Sequence, residues 1–183
     1  MALNKFLKLT LLSTLIVFVI SCNQEKRRPD PQEIFNEKTP GRKVMQTYQN
    51  NNPQLVYFYE VDENKKVTDN KIGEMLYRDD KSVYMGGGIK NNKKDGVWKA
   101  FYPDGKVQTD AFFIDGKEDG EYTVYYDNGT IRYTGSYKNG ICEGTWKFYT
   151  KGGTLHKSLE AKGENIVCGS CPRCIQIAKT KKQ

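Results

Sequence analysis

Three stretches of this chain repeat one another at a spacing of 24 residues: Asp95-Gly96-Val97-Trp98, Asp119-Gly120-Glu121-Tyr122 and Glu143-Gly144-Thr145-Trp146. The same offsets recur inside each unit, aligning Phe101 with Tyr125 and Tyr149, Gly105 with Gly129 and Gly153, and Val107 with Ile131 and Leu155. A unit this short cannot bury an apolar face alone, so the units must stack into one continuous array. Lys71-Ile72-Gly73-Glu74 opens a fainter fourth unit, one residue out of step.

Each unit carries turn signals. Asp104-Gly105, Asn128-Gly129 and Gly152-Gly153 supply one kind, and Asp115-Gly116 and Asn139-Gly140 another. All suit two-residue type I′ hairpin loops, which need positive φ at both central positions. Taking them so sets a register in which Tyr102 faces Val107, Ala100 faces Thr109 and Trp98 faces Ala111. Across the next loop Ala111 faces Gly120 and Thr109 faces Tyr122. In the following unit Tyr126 faces Ile131, Val124 faces Tyr133, and Tyr133 faces Trp146. Residues opposed in this way share a face, and an even repeat length keeps that face constant because the side-chain period is two. The expected fold is therefore all-β: 24-residue hairpin repeats in an elongated antiparallel meander, two strands per unit. One face is apolar, with Trp98, Tyr122 and Trp146 as its repeated core. It requires cover from the Leu55–Val61 strand, the C-terminal segment or a second copy.

The pattern Gly-x-Trp/Tyr-x-x-Phe/Tyr-Tyr-x-x-Gly, followed by x-Asp/Asn-Gly, resembles the MORN-repeat variant collected in bacterial proteins of the YwqK antitoxin family. The resemblance covers residues 71 to 163. It implies stacked β-hairpins acting as a scaffold or a partner-binding surface, with no catalytic residue inherent to the repeat. It also implies, through the family label, a toxin-neutralising role.

The first residues carry a different message. Met1 to Lys8 holds two lysines, and Leu9 to Ile20 is twelve uncharged residues. Such a run is too short to span a bilayer of about 30 Å as a helix but suits a signal-peptide core. It ends in Val19-Ile20-Ser21-Cys22, which is similar to a bacterial lipobox. The expected organisation is a lipoprotein signal peptide at 1–21 and a polar tether at 22–54 after lipidated Cys22. A repeat domain follows at 55–165, then a cysteine-rich basic tail at 166–183. The mature chain would be exported and held in the cell envelope by acyl chains, without spanning the membrane. That location argues against the cytoplasmic antitoxin role. Within the tether, Phe35, Val44, Met45 and Tyr48 are apolar enough to touch the folded part.

Little in the chain points to catalysis. The net charge is +7, of which Lys5 and Lys8 supply two. The remaining charges are interspersed, so no nucleic acid is expected as a partner. His156 stands alone in the least regular unit, without the orienting acid and nucleophile that a triad needs. Asp95, Asp119 and Glu143 recur with the repeat and read as turn residues. Gly86-Gly87-Gly88 lacks the Lys-Ser/Thr of a phosphate loop and reads as a bulge or bend. No cofactor is expected.

Cys142 and Cys168-Gly-Ser-Cys171-Pro-Arg-Cys174 form an even set of four once Cys22 is set aside. Two disulfides in an oxidising compartment are the leading reading. A four-thiolate zinc site, a C-x-x-C redox pair and reduced thiols are the alternatives, and spacing alone does not choose a connectivity.

These features together point to a membrane-anchored, non-catalytic module that binds protein or glycan, or scaffolds the envelope. The alternatives are a toxin-neutralising immunity-type lipoprotein and a redox or metal protein using the cysteine cluster. On the polar face one aromatic column recurs, Phe101, Tyr125 and Tyr149. Its members fall on every second strand, about 9–10 Å apart. Rigid rings amid charges suit an extended peptide or glycan partner, and this column is the expected binding face.

Overall fold

The computed structural model describes residue 28 and residues 30–161. The signal segment, Cys22 and the tail cysteines Cys168, Cys171 and Cys174 lie outside the described residues. One short helix, α1 (Pro31–Ile34), precedes ten strands: β1 (Arg42–Thr47), β2 (Pro53–Val61), β3 (Val67–Tyr77), β4 (Val83–Lys90), β5 (Lys93–Phe101), β6 (Val107–Ile114), β7 (Lys117–Tyr125), β8 (Ile131–Lys138), β9 (Ile141–Tyr149) and β10 (Leu155–Ala161). They form one antiparallel sheet in sequence order, β1 to β10. The expected meander is the observed fold.

Two turn types alternate along the sheet, and one departs from expectation. Asp115-Gly116 and Asn139-Gly140 have positive φ at both positions, 49° and 83°, then 51° and 81°. Asn91-Asn92 (51° and 59°) forms the same loop between β4 and β5, in a pair without glycine. At the other end of the hairpins only Gly105, Gly129 and Gly153 have positive φ, at 82°, 85° and 84°. Asp104, Asn128 and Gly152 do not. There Tyr102 N–H donates to Lys106 O (2.8 Å) and Gly105 N–H to Tyr102 O (2.9 Å), with the same pattern at 126–130 and 150–154. This is a three-residue loop whose last member takes the left-handed conformation. Val107 therefore pairs with Phe101, and Ile131 with Tyr125, instead of with the tyrosines that follow.

A second correction concerns the register between hairpins. Ala111 pairs with Tyr122, Thr109 with Val124 and Tyr133 with Phe148, each two residues from the expected partner. Gly96, Gly120 and Gly144 cause the shift. They sit inside β5, β7 and β9 at φ 78°, 112° and 62°, within bulges that add residues to one strand. Asp95, Asp119 and Glu143 thus belong to strand bulges, not turns. Because the slip is even, every side chain keeps its expected face.

The 24-residue period has a further source in the turns. Tyr102 Oη donates to Tyr125 O (2.8 Å) and Tyr126 Oη to Tyr149 O (3.0 Å), each reaching the next turn along the sheet. Arg78 makes the equivalent bond to Phe101 O, and Tyr48 Oη to Tyr77 O (3.0 Å). The turn at 78–82 lies 24 residues before that at 102–106 and has the same backbone bonds, so β3 and β4 are the faint fourth unit.

The fold extends beyond the expected domain boundary. Residues 30–54, read as tether, include α1 and β1, and Phe35 is buried against Phe58 with ring centroids 5.1 Å apart. Leu55–Val61 is part of β2, a member of the sheet rather than a cover for it. Its Val56 and Phe58 turn toward α1 and join Phe35 and Met75 in one core. Gly86-Gly87-Gly88 lies within β4. A side chain at Gly86 would collide with the Met75 sulfur, and one at Gly87 with the Trp98 ring. The three glycines make room for neighbouring groups as well as flanking a bulge.

Candidate functional site

The sheet has two unlike faces. On the first, which can be called the strap face, residues 28–35 lie across the strands, with α1 against β4 and β5. Asp30 caps α1 by accepting from Gln32 N–H (2.9 Å) and also faces Lys99 Nζ at 3.9 Å. Lys99 is 6% exposed, and its second partner is Asp110 at 3.7 Å. Arg28 closes the network, 3.3 Å from Asp110 and 3.5 Å from Glu121. A lysine buried this deeply requires such partners, since an uncompensated ammonium there would be costly. Lys99 and Asp110 are directly opposed on β5 and β6. That pair was legible from the register; the strap acids and Arg28 were not.

The expected aromatic column lies on this face but is not uniform. Phe101 is 1% exposed. It stands on β5 beneath the level of the strap, so it is not an exposed anchor. Tyr125 and Tyr149 lie beyond the strap and are half-buried. Burial raises the Tyr125 pKa, Asp110 and Glu121 add to the rise, and Arg28 opposes it. Thr123 and Thr134 hydrogen-bond at 2.8 Å between the strap and the outer strands, where Arg132 and Lys147 are exposed.

The opposite, aromatic face holds the repeated core. Trp98 lies on Gly87, and its Nε1–H donates to Gly88 O at 2.8 Å. Lys94 Nζ sits 4.0 Å from the Trp98 ring centroid and 5.2 Å from that of Phe113. Burial lowers the Lys94 pKa, and Glu74 and Glu118 partly offset this. A depression of about 320 Å³ opens here among Tyr84, Met85, Trp98, Phe113 and Tyr122. Two strands further on, Trp146 lies on Gly135 and packs edge-on against Tyr137 at 5.1 Å. Tyr122, Tyr133 and Phe148 surround this second cluster.

The other singled-out residues are dispersed. His156 is exposed on β10. Asp119 accepts from Lys138 Nζ (3.0 Å) and from Asn139 N–H (3.2 Å), so it holds the next hairpin turn, and these bonds lower its pKa. Among the described residues no three His, Cys, Asp or Glu side chains converge as metal ligands. Cys142, the described member of the thiol set, is buried on β9.

Comparison with known proteins follows the repeat. The family model of the MORN repeat variant matches residues 94–115 and 118–139, two adjacent units from β5 to β8. The fold and these matches define a tandem MORN-variant repeat sheet. No curated protein matches the chain. Among solved structures, a mutant of S. aureus TarM in complex with Fondaparinux, alpha-GlcNAc-glycerol and UDP aligns at 13% identity and a TM-score of 0.29. The alignment covers 67% of this chain and 21% of that one, a likeness too slight to bear on function.

Proposed function

We propose that this chain is an exported lipoprotein, acylated at Cys22, whose repeat sheet is a non-catalytic binding surface for an extended protein or glycan of the cell envelope. The observation that carries the reading is the strap. The chain's own residues 28–35 already lie across the face at the Phe101 position, held by ion pairs to Lys99, Asp110 and Glu121. The repeat presents two further rings of the same column, Tyr125 and Tyr149, among exposed Arg132, Lys147 and Glu121. A partner in extended form would continue the row that the strap begins, with the rings as rigid anchors and the charges as rim. The MORN-variant matches and the open one-layer sheet support a binding module, and the Val19-Ile20-Ser21-Cys22 motif supports the anchor.

Affinity capture from intact envelopes tests the reading. Changing Tyr125 and Tyr149 together to Ser should leave the β-sheet circular dichroism unchanged and remove the partners captured by the unaltered protein. Retention of the same partners by a folded double variant would exclude this row as the binding site.

A further inference from the structure

The second aromatic cluster is more deeply buried than its described surroundings explain. Tyr137, Cys142 and Trp146 are 4%, 5% and 1% exposed. Yet α1, the described element packed on the sheet from outside, lies on the strap face against β4 and β5. Tyr122, Tyr133, Phe148 and Ala161 pack around the cluster from the same sheet. Lateral neighbours in one layer leave the outer surface of a ring open to water. Trp146 Nε1–H is also buried without a hydrogen-bond acceptor among the described residues. The equivalent Trp98 N–H has Gly88 O. Buried donors are nearly always paired.

The chain itself offers the occupant. Ala161 ends β10 opposite Gly144 and contributes its side chain to this same cluster. Residues 162–183 therefore begin at the edge of the patch, and they include Ile166, Val167 and Cys168, then Cys171 and Cys174. Cys168 follows Ala161 by seven residues, a reach of at most about 25 Å. Cys142 stands two positions along β9 from Gly144, about 7 Å.

We infer that residues 162–168 fold back over the β8–β9 part of the aromatic face, place Ile166 and Val167 on the Tyr137–Trp146 cluster and give a backbone carbonyl to Trp146. Cys142 is joined there to Cys168 by a disulfide, leaving Cys171 and Cys174 as the second pair. Bond formation removes one proton from each thiol. Two electrons pass to a protein disulfide of the oxidising compartment, which leaves as a dithiol. The pairing rests on the export proposed above; the docking does not.

Full-length protein taken from membranes, with free thiols blocked and no reductant, should yield the peptide carrying Cys142 joined to that carrying Cys168. The Cys171→Ser/Cys174→Ser variant should keep this link, and the Cys168→Ser variant should lose it. Alkylated Cys142 in acylated, exported protein, a link from Cys142 to Cys171 or Cys174, or one zinc bound per chain would each overturn the pairing. Acylation with a palmitate analogue is read in the same preparation. Protein that is neither acylated nor exported refutes the lipoprotein reading instead. Such protein is then treated with oxidised glutathione. Formation of the Cys142–Cys168 link there supports the docking, and its absence refutes it.

Discussion

Replacing Gly135 with alanine tests the packing that holds the aromatic face together. A Cβ at this position would lie 2.2 Å from Trp146 Cδ2, 2.4 Å from Cε2 and 2.7 Å from Cγ, whereas ordinary contact begins at 3.4 Å. The ring must retreat by at least about 1.2 Å, and it is hemmed by Tyr137 at 5.1 Å and by Tyr122 and Tyr133 at 6.3 and 6.4 Å. A gap of this size forfeits a quarter to a half of the dispersion contacts, and overpacking of a core costs roughly 1–3 kcal/mol. Complete loss of the ring's burial, about 2–3 kcal/mol, sets the upper bound. The expected cost is about 2 kcal/mol, a fall in Tm of roughly 4–8 °C. Gly135 does not have positive φ, so backbone strain contributes nothing. Urea denaturation followed by far-ultraviolet circular dichroism, in wild-type and Trp146→Ala backgrounds, separates the collision from other effects. With the indole removed, Gly135→Ala should change stability by less than about 0.5 kcal/mol, since the two residues are in contact and their effects couple. An equal penalty in both backgrounds would refute the stacking of Trp146 on Gly135.

Three other outcomes follow from the turns and the anchor. Gly153→Ala should cost about 1–2 kcal/mol because its φ is 84°, whereas Gly152→Ala should be near neutral, and equal costs in thermal melts would restore the two-residue loop. Tyr126→Phe removes the 3.0 Å bond to Tyr149 O and should cost about 1 kcal/mol by urea denaturation, and an unchanged midpoint would mean that the rung is not a stabilising contact. Cys22→Ala should abolish incorporation of a palmitate analogue and release the protein from the membrane fraction, and undiminished labelling would end the lipoprotein reading.

The period of 24, the parity of the faces and the meander were legible because each follows from local pattern. Apolar alternation assigns a face and a glycine pair assigns a turn. The exact register was not, because a bulge is invisible to alternation when it adds an even slip: Gly96, Gly120 and Gly144 looked like unit openers, and only their positive φ shows that they add residues to one strand. The loop at Asp104-Gly105 was misread because a three-residue turn and a type I′ turn share the Asp-Gly signature. Asn91-Asn92 escaped notice for lack of glycine. The strap was hidden for a different reason. Asp30 and Arg28 meet Lys99, Asp110 and Glu121 across some 70 to 90 residues of chain, and no spacing rule links charges so far apart.

The strap also explains how a one-layer sheet keeps buried residues on both faces. On the strap face, β2 to β4 are covered by Phe35, and Gly73 admits its ring so closely that an added Cβ would lie 2.4 Å away. On the aromatic face the indoles of Trp98 and Trp146 lie flat on glycines of the neighbouring strands, so the sheet supplies the floor for its own core. The two devices fall on different parts of the array: the strap serves the less regular N-terminal strands, the indole-on-glycine pairs the repeats. Arg28, the outermost described residue of the strap, reaches β6 and β7 at Asp110 and Glu121. Six residues separate it from Cys22, a span of at most about 21 Å. On the proposed anchor, the acyl chains therefore attach close to the strap face, beside Tyr125 rather than at the far end of a long tether. A partner engaging Tyr125 and Tyr149 would then approach along the membrane side of the sheet, which favours an extended envelope polymer over a bulky globular one.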